Sequence, residues 1–400
     1  MKTEGVLGAV LAACLSSRAA AAQELTLDAA LVLARERSFE VLASRRRVRE
    51  AEARLSSRPA LRDNPVVEGA RGAREASPAD FEVGLSQSFE LGGRGGSRRD
   101  ANTAALEREQ ADAAQVEREV LREVRVAFVR GLHAAEWLRQ ARSLEDGAAE
   151  LQRIVRRRHE TGDVADLDLN VASSARARSR ADLKDAEAAQ ASALTELRVR
   201  VGLGAGEPLS LSGTLLEERF YDAARLMSAI DERPEVRSLE AQLREAEAEL
   251  RLGKGFAWPD LTGTVRYERD EGDRVVWAGL SVSLPFFDRG QQLREVGRAR
   301  ADGLRAEVEA KKRALQNQVR GALTLYELRV AAVGELASNL ATLADSEALG
   351  RRSYEAGLIG IAELLLLRKS IAEARLQWLD SLLELGRVRA ELDTLAGGSR

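Results

Sequence analysis

The sequence predicts a mainly α-helical fold with a small β part, built as a duplicated repeat of long coiled-coil helices and short strands. Three observations predict it. Alanine, arginine, glutamate and leucine dominate, and aromatic residues make up only 4% of the 400 residues. That is the composition of long packed helices, not of a compact core. The seven prolines stand at 59, 65, 78, 208, 234, 259 and 285, so 79–207 and 286–400 have none, and proline is what breaks a helix interior. The chain also repeats itself at one offset of 195 residues. Arg49-Glu50-Ala51-Glu52-Ala53 returns at Arg244 to Ala248, Gly84-Leu85-Ser86 at Gly279 to Ser281, and Arg94-Gly95 at Arg289-Gly290. Glu160-Thr161-Gly162 returns as Glu355-Ala356-Gly357. Matches in one order at one spacing define two structural repeats.

The N-terminus reads as an export signal over 1–22. Lys2 supplies the positive start, Val6 to Leu15 a short apolar run, and Ala20, Ala21 and Ala22 a small-residue cleavage site. A second reading stays open: Leu11-Ala12-Ala13-Cys14 resembles a lipobox, which would make Cys14 a lipidated N-terminus. A buried apolar helix is the third. No later run is long and apolar enough for a transmembrane helix.

The first repeat takes 23–212, a connector 213–227, and the second repeat 228–400. Each begins with a helix, 27–56 and 232–253, the latter admitting Pro234 in its first turn. Strand pairs follow at 66–74 with 81–91, and at 260–268 with 274–284. In the latter pair Leu261, Gly263, Val265 and Tyr267 alternate with Thr262, Thr264, Arg266 and Glu268, and Val276, Ala278, Leu280, Val282 and Leu284 with Trp277, Gly279, Ser281 and Ser283. Glu271-Gly272-Asp273 supplies the turn. Long helices come next, 97–159 and 291–354. The first would reach roughly 95 Å. Every seventh residue from Leu106 (Ala113, Val120, Ala127, Ala134, Ala141, Ala148, Val155) is apolar, which predicts supercoiled packing with helices in close approach. Gly162 and Gly357 end these helices, Asp163 or Asp166 is expected to cap the first returning helix, and the returns run over 167–201 and 362–396. The turn Gly357-Leu358-Ile359-Gly360-Ile361 is unusually apolar, which suits either a partner contact or packing between the hairpin arms.

Two hairpins alone would be unstable in water, and open sheet edges are not tolerated in lipid. Strands of this length suit a tilted membrane strand, but four cannot close a barrel. Three chains would give twelve. In that setting Leu85, Phe89 and Leu91 face lipid, Ser86, Ser88 and Glu90 face a wet lumen, and Gly92, Gly93, Gly95 and Gly96 let the chain swing from strand to helix.

Taken with Leu25-Thr26-Leu27-Asp28-Ala29-Ala30-Leu31, Asn64-Pro65, Ser86-Gln87-Ser88-Phe89-Glu90-Leu91-Gly92-Gly93-Arg94, Arg98 and Ala101, the chain resembles the TolC family of outer-membrane efflux ducts, in its heavy-metal branch. The resemblance spans the mature chain. It implies a homotrimer in the outer membrane of a Gram-negative bacterium, its twelve-stranded β-barrel set in outer-membrane lipid and continued by a periplasmic α-barrel. It implies a periplasmic adaptor protein and an inner-membrane pump of the RND type as partners. The junction is then Gly92 to Gly96 with Arg289 and Gly290. The tips that meet the adaptor are Thr161, Gly162, Asp163 and Val164, with Ala356, Gly357, Leu358 and Ile359. The acids six residues after each tip glycine, Asp168 and Glu363, become candidates for a carboxylate ring at the entrance. The bland alternative is that both complement helix dipoles. A second acid three residues further on is missing, since Val171 and Leu366 stand there.

Other functions fit less well. Net charge is −3, with 61 Lys and Arg against 64 Asp and Glu, so no nucleic-acid partner is expected. One cysteine and two histidines make no Cys/His metal cluster, and no cofactor is expected. Gly92-Gly93-Arg94-Gly95-Gly96 lacks the lysine-serine or lysine-threonine ending of a phosphate loop, and no nucleophile–base pair stands out, so no enzyme is expected. A periplasmic coiled-coil or adaptor protein is the alternative. It would need longer β-runs flanking one hairpin. Heavy metals are the expected cargo, by resemblance alone; drugs or other small molecules remain the alternative.

Overall fold

The computed structural model describes residues 24–57, 61–72, 80–204, 207–216, 219–270 and 273–397. The export signal with Cys14, the end of the strand expected at 66–74, and Glu271-Gly272 lie outside the described residues.

The elements in order are β1 (Glu24–Leu25), α1 (Leu27–Arg37), α2 (Phe39–Ser56), β2 (Val66–Gly72), β3 (Asp80–Glu90), α3 (Arg94–Glu160) and α4 (Asp166–Val201). Then come β4 (Ser210–Leu211), α5 (Ala223–Ser228), α6 (Pro234–Gly255), β5 (Asp260–Asp270), β6 (Asp273–Ser283), α7 (Gln291–Glu355) and α8 (Ile361–Leu395). The helix expected at 27–56 is two. Ser38 breaks it with an extended backbone, ψ 130°, and its buried hydroxyl turns to Glu40 at 2.6 Å. A serine that can bond its neighbours locally competes with helix continuation. The β1–β4 pair and α5 had no periodic signal. The first is two residues of parallel pairing. The second is a single capped turn, with Asp222 accepting from the backbone N–H of Ala224 at 2.9 Å.

The chain forms two compact units. One holds the described residues of 24–34, 124–218 and 332–387. Its share of the heptad seam in α3 is buried: Ala127, Ala134, Ala141, Ala148 and Val155. Small residues let its helices approach. A methyl on Gly386 would lie 2.5 Å from the Val129 side chain, and one on Gly350 would lie 2.4 Å from Leu367. Its charged contacts are of the same interhelical kind, with Arg176 reaching Gln152 at 2.9 Å and Arg375 reaching Glu347 at 2.9 Å.

The other unit holds the described residues of 35–123, 219–331 and 388–397. Leu226, Val319, Ala322, Val388, Leu392 and Leu395 form one apolar cluster, and Ala246, Ala301 and Leu304 another. Above the first cluster the Tyr221 hydroxyl donates to Asp393 at 2.8 Å, and Arg219 holds the other oxygen of that carboxylate at 3.0 Å. Tyr326 bonds the backbone of Arg219 through both its N–H and its carbonyl. Burial, then the Asp393 charge, push the Tyr221 phenol well above its ordinary range. The sign follows: a phenol raised on folding contributes fully below about pH 10 and loses that contribution as pH climbs towards its folded value. Tyr221→Phe is therefore expected to lower stability by about 1–2 kcal/mol at neutral pH. It should also flatten the loss of stability of the wild type above about pH 10. Thermal melts of the two proteins across pH check both.

The same unit carries a four-stranded antiparallel sheet in the order β2-β3-β5-β6. The middle pairing joins the two repeats, with Phe81 opposite Arg269 and Glu90 opposite Asp260.

Candidate functional site

The sheet has two unlike faces, because side chains alternate and the registers align like with like. Leu85 stands opposite Val67 on β2 and Val265 on β5, and Val265 opposite Ala278 on β6. Val83 stands opposite Tyr267, which faces Val276. This face also carries Phe81, Phe89, Leu280 and Val282, and every large apolar side chain named here except Tyr267 is exposed. Gln87 interrupts it, but its amide is turned onto the carbonyls of Asp63 and Ser88 at 3.0 and 2.9 Å. The opposite face is polar over most of its length. Arg266 meets Glu82 at 2.6 Å, and the Ser88 and Thr262 hydroxyls meet at 2.8 Å. Trp277 and Val275 are exceptions near the β5–β6 turn. The charged residues of this face, Arg71, Arg269 and Arg274, gather beside the turns, and the contiguous exposed apolar stretch below them is the pattern of a sheet meeting lipid. Trp258, Phe286 and Phe287 are exposed at the foot of the strands. The sequence reading passed over this group, although aromatics flanking alternating strands are a recognised girdle signal.

The strands hand over to helices at tight elbows. Gly92 and Gly93 have φ of 75° and 71°, and Gly290 has φ of 70°. Gly95 and Gly96, expected to belong to the swing, lie instead in the first turn of α3, which starts at Arg94. Two left-handed residues suffice for the reversal. Both elbows sit on the end of α6. A methyl on Gly92 would lie 2.6 Å from the Gly255 carbonyl oxygen, and one on Gly290 would lie 2.3 Å from that of Gly253. Arg94 is buried here, its guanidinium 4.9 Å over the Phe256 ring and ion-paired with Asp260. Arg289 is exposed and donates from Nε to the Pro285 carbonyl at 3.1 Å. Gly93→Ala meets open space, so it should cost only the left-handed strain of about 1–2 kcal/mol. Gly92→Ala adds a collision with backbone and should lower the folded, membrane-inserted yield much further. Immunoblots of membrane fractions for the two variants check the order.

At the other end of α3 and α7 the two helix stops are alike. The Gly162 N–H donates to the His159 carbonyl at 3.0 Å and the Asp163 N–H to that of Arg158 at 2.8 Å. Gly357 and Leu358 repeat this with Tyr354 and Ser353, again at 3.0 and 2.8 Å. This double bond pattern needs a left-handed residue at the stop, and φ is 81° and 73°. Thr161 caps the first stop by donating to the Arg158 carbonyl at 2.9 Å. The aspartate cap expected for α4 is absent: Ala165 holds that position with no side-chain bond. Asp163 instead accepts from Thr161 at 3.1 Å, and Asp166 pairs with His159 across the turn.

Behind the turns Leu151, Val155, Ala172, Tyr354, Ile361 and Leu364 form a core, with Val164, Leu169, Ile359 and Leu365 against it. Arg158 lies 5.6 Å over the Tyr354 ring. The apolar turn is therefore divided: Ile359 and Val164 are brought together on this core, while Leu358 is 78% exposed. Ala356 is exposed beside it. Leu167 and Leu366 are also exposed. Leu366 stands out in the sequence only as the place of a missing acid, and Leu167 not at all, because one leucine between Asp166 and Asp168 has no periodic signal. Asp168 and Glu363 stand on separate helices, each in its own first turn. Glu363 reaches back to accept the Gly360 N–H at 3.3 Å, the reciprocal half of a capping box. Among the described residues no grouping of His, Cys, Asp and Glu could hold a metal ion, and no helix is long and apolar enough to cross a membrane.

The comparisons agree with this architecture. The model of the outer membrane efflux protein family matches the chain twice, over 30–203 and 226–398. The cobalt-zinc-cadmium resistance protein CzcC of Cupriavidus metallidurans is 26% identical over 395 residues, covering 94% of this chain and 91% of that protein. A crystal structure of CusC superposes with a TM-score of 0.79 at 18% identity, covering 93% of this chain and 92% of that one. The CmeC outer membrane channel of Campylobacter jejuni superposes with a TM-score of 0.80 at 15% identity, covering 93% and 85%.

Proposed function

This chain belongs to the outer membrane efflux protein family, and from that premise we propose that it is the outer-membrane duct of a three-part export pump. The observation that carries the reading is the sheet: one apolar exposed face, one largely polar face and two open edges. In lipid those edges must be paired, so three copies close a twelve-stranded barrel around the polar faces. The helices continue the conduit into the periplasm, the glycine-terminated tips meet a periplasmic adaptor, and an inner-membrane pump of the RND type supplies the energy. The duct itself performs no covalent chemistry, and both the family and the fold are those of channels. The cargo is heavy-metal cations, a reading supported by the kinship with a cobalt-zinc-cadmium resistance protein.

The test has two stages. The mature protein is extracted from membranes in mild detergent and imaged by negative-stain electron microscopy. A three-fold tube with one detergent-covered end supports the duct, and a thin rod that needs no detergent overturns it. The gene is then deleted from the host. Loss of growth on zinc, cobalt or cadmium, restored by the intact gene, supports metal export. Sensitivity confined to drugs moves the cargo to other small molecules.

A further inference from the structure

The hairpin end of the sheet carries a pattern of its own. On the apolar face Arg71, Phe81, Arg269 and Arg274 stand opposite one another in a single row across all four strands. All three arginines are exposed, and among the described residues none makes a side-chain hydrogen bond or ion pair. No acid shares this face among the paired residues. Glu68, Glu82, Glu90, Asp260, Glu268 and Asp273 alternate onto the other. Arg269 and Arg274 are therefore like charges directly opposed, which destabilises a sheet unless an anion lies between them. Phe81 fills the place between Arg71 and Arg269, its ring 5.6 Å from that of Tyr267. Strands stand about 4.8 Å apart, so the row is about 14 Å wide.

Resting on the duct reading, we propose that this row binds the phosphate groups of a phosphorylated glycolipid in the outer leaflet, whose acyl chains lie on the apolar face beneath. The height of the row fits. Arg269 lies eight residues along β5 from Leu261, which shares a row with Phe89 and Val282. That is about 27 Å along the strand, or about 20 Å of height at a membrane strand's tilt. Exposed Trp258, Phe286 and Phe287 flank the opposite end, where the chain turns into the helices. An apolar band of a membrane barrel is about 25 Å tall, so the arginines stand at headgroup level in the leaflet away from the periplasm. The chemistry fits too. Guanidinium groups bond phosphate oxygens in pairs, and a phosphate between Arg269 and Arg274 cancels their repulsion. Rows below the arginines hold no charge on this face, and Val83, Leu85 and Val276 are exposed there to meet acyl chains.

Lipid binding to the full-length protein, purified in mild detergent, tests the row. The protein is titrated with lipid A carrying both its phosphates and with the same lipid dephosphorylated, and bound lipid is counted by native mass spectrometry. The phosphorylated form is expected to bind about tenfold tighter or more. Replacing Arg71, Arg269 and Arg274 together by glutamine should erase that preference. Arg266→Gln should keep it, because Arg266 lies on the polar face, paired with Glu82. Equal binding of the two lipids by the unmodified protein overturns the proposal, and that comparison needs no variant to fold. A preference that survives in the triple variant, or is lost equally in Arg266→Gln, overturns the assignment to this row. Phosphatidylglycerol bound as tightly as phosphorylated lipid A overturns the choice of a glycolipid. Displacement of bound lipid A by millimolar inorganic phosphate overturns the choice of a lipid. If the unmodified protein is not trimeric in detergent, the duct reading itself fails. A trimer with no lipid preference leaves the duct standing and sinks only the arginine site.

Discussion

Replacing Asp168 and Glu363 together by alanine is expected to raise single-channel conductance several-fold and to weaken block by divalent cations in planar bilayers. The two acids stand in the first turns of α4 and α8, just behind the helix stops at Gly162 and Gly357. On the proposed duct reading, three copies would bring up to six such carboxylates to the entrance. A ring of carboxylates holds cations and gives a passing ion a site that a divalent competitor can occupy. Removing the ring removes both effects, and high salt should shrink the difference between wild type and variant. Glu363 also accepts the Gly360 N–H, so Glu363→Ala carries a capping loss of about 1 kcal/mol. Glu363→Gln keeps an acceptor and removes the charge. Conductance that rises in Asp168→Asn with Glu363→Gln as much as in the double alanine variant assigns the effect to charge. Conductance unchanged in both removes the two residues from the entrance and leaves them as acids complementing helix dipoles.

Leu358→Asp is expected to abolish export while leaving bilayer conductance and membrane yield unchanged. Leu358 is 78% exposed and its own backbone N–H donates to the Ser353 carbonyl at 2.8 Å, so the folded chain loses little by the change of side chain. A leucine that a partner covers contributes about 1.5–3 kcal/mol, and the proposed trimer would present it three times, whereas a buried lone aspartate is strongly disfavoured. Loss of metal or drug resistance with normal conductance locates the defect at docking. Ile359→Asp is the contrast, because Ile359 packs on the core of Val155, Tyr354 and Leu364, and its variant should lose folded protein as well. Normal resistance in Leu358→Asp would mean that the exposed turn is not where the adaptor binds.

Much of the architecture was legible because it follows from local rules. The alternation of Leu85, Phe89, Val265 and Tyr267 with serine, threonine and charge is a period of two, and it marks one face of a sheet whatever the sheet then meets. The seven-residue series through Ala127, Ala134, Ala141 and Val155 is buried in the fold, as a seam of small residues must be for helices to close on one another. The misses also share a cause. The break at Ser38, the helical state of Gly95 and Gly96, and the uncapped start of α4 at Ala165 each turn on which of several locally allowed conformations the neighbours stabilise.

The sequence by itself determined the duplication, the alternating strands, the long uninterrupted helices and the glycine stops, since periodicity, missing prolines and left-handed backbone act within a few residues. Only the tertiary structure decided which residues of those elements do which work. It turned Ile359 and Val164 inward and Leu358 outward, set Gly92 and Gly290 against the end of α6, and joined β3 to β5 so that two repeats make one sheet with two open edges. Those choices depend on contacts between residues far apart in the chain, where excluded volume and apolar burial select among conformations that local sequence leaves equal.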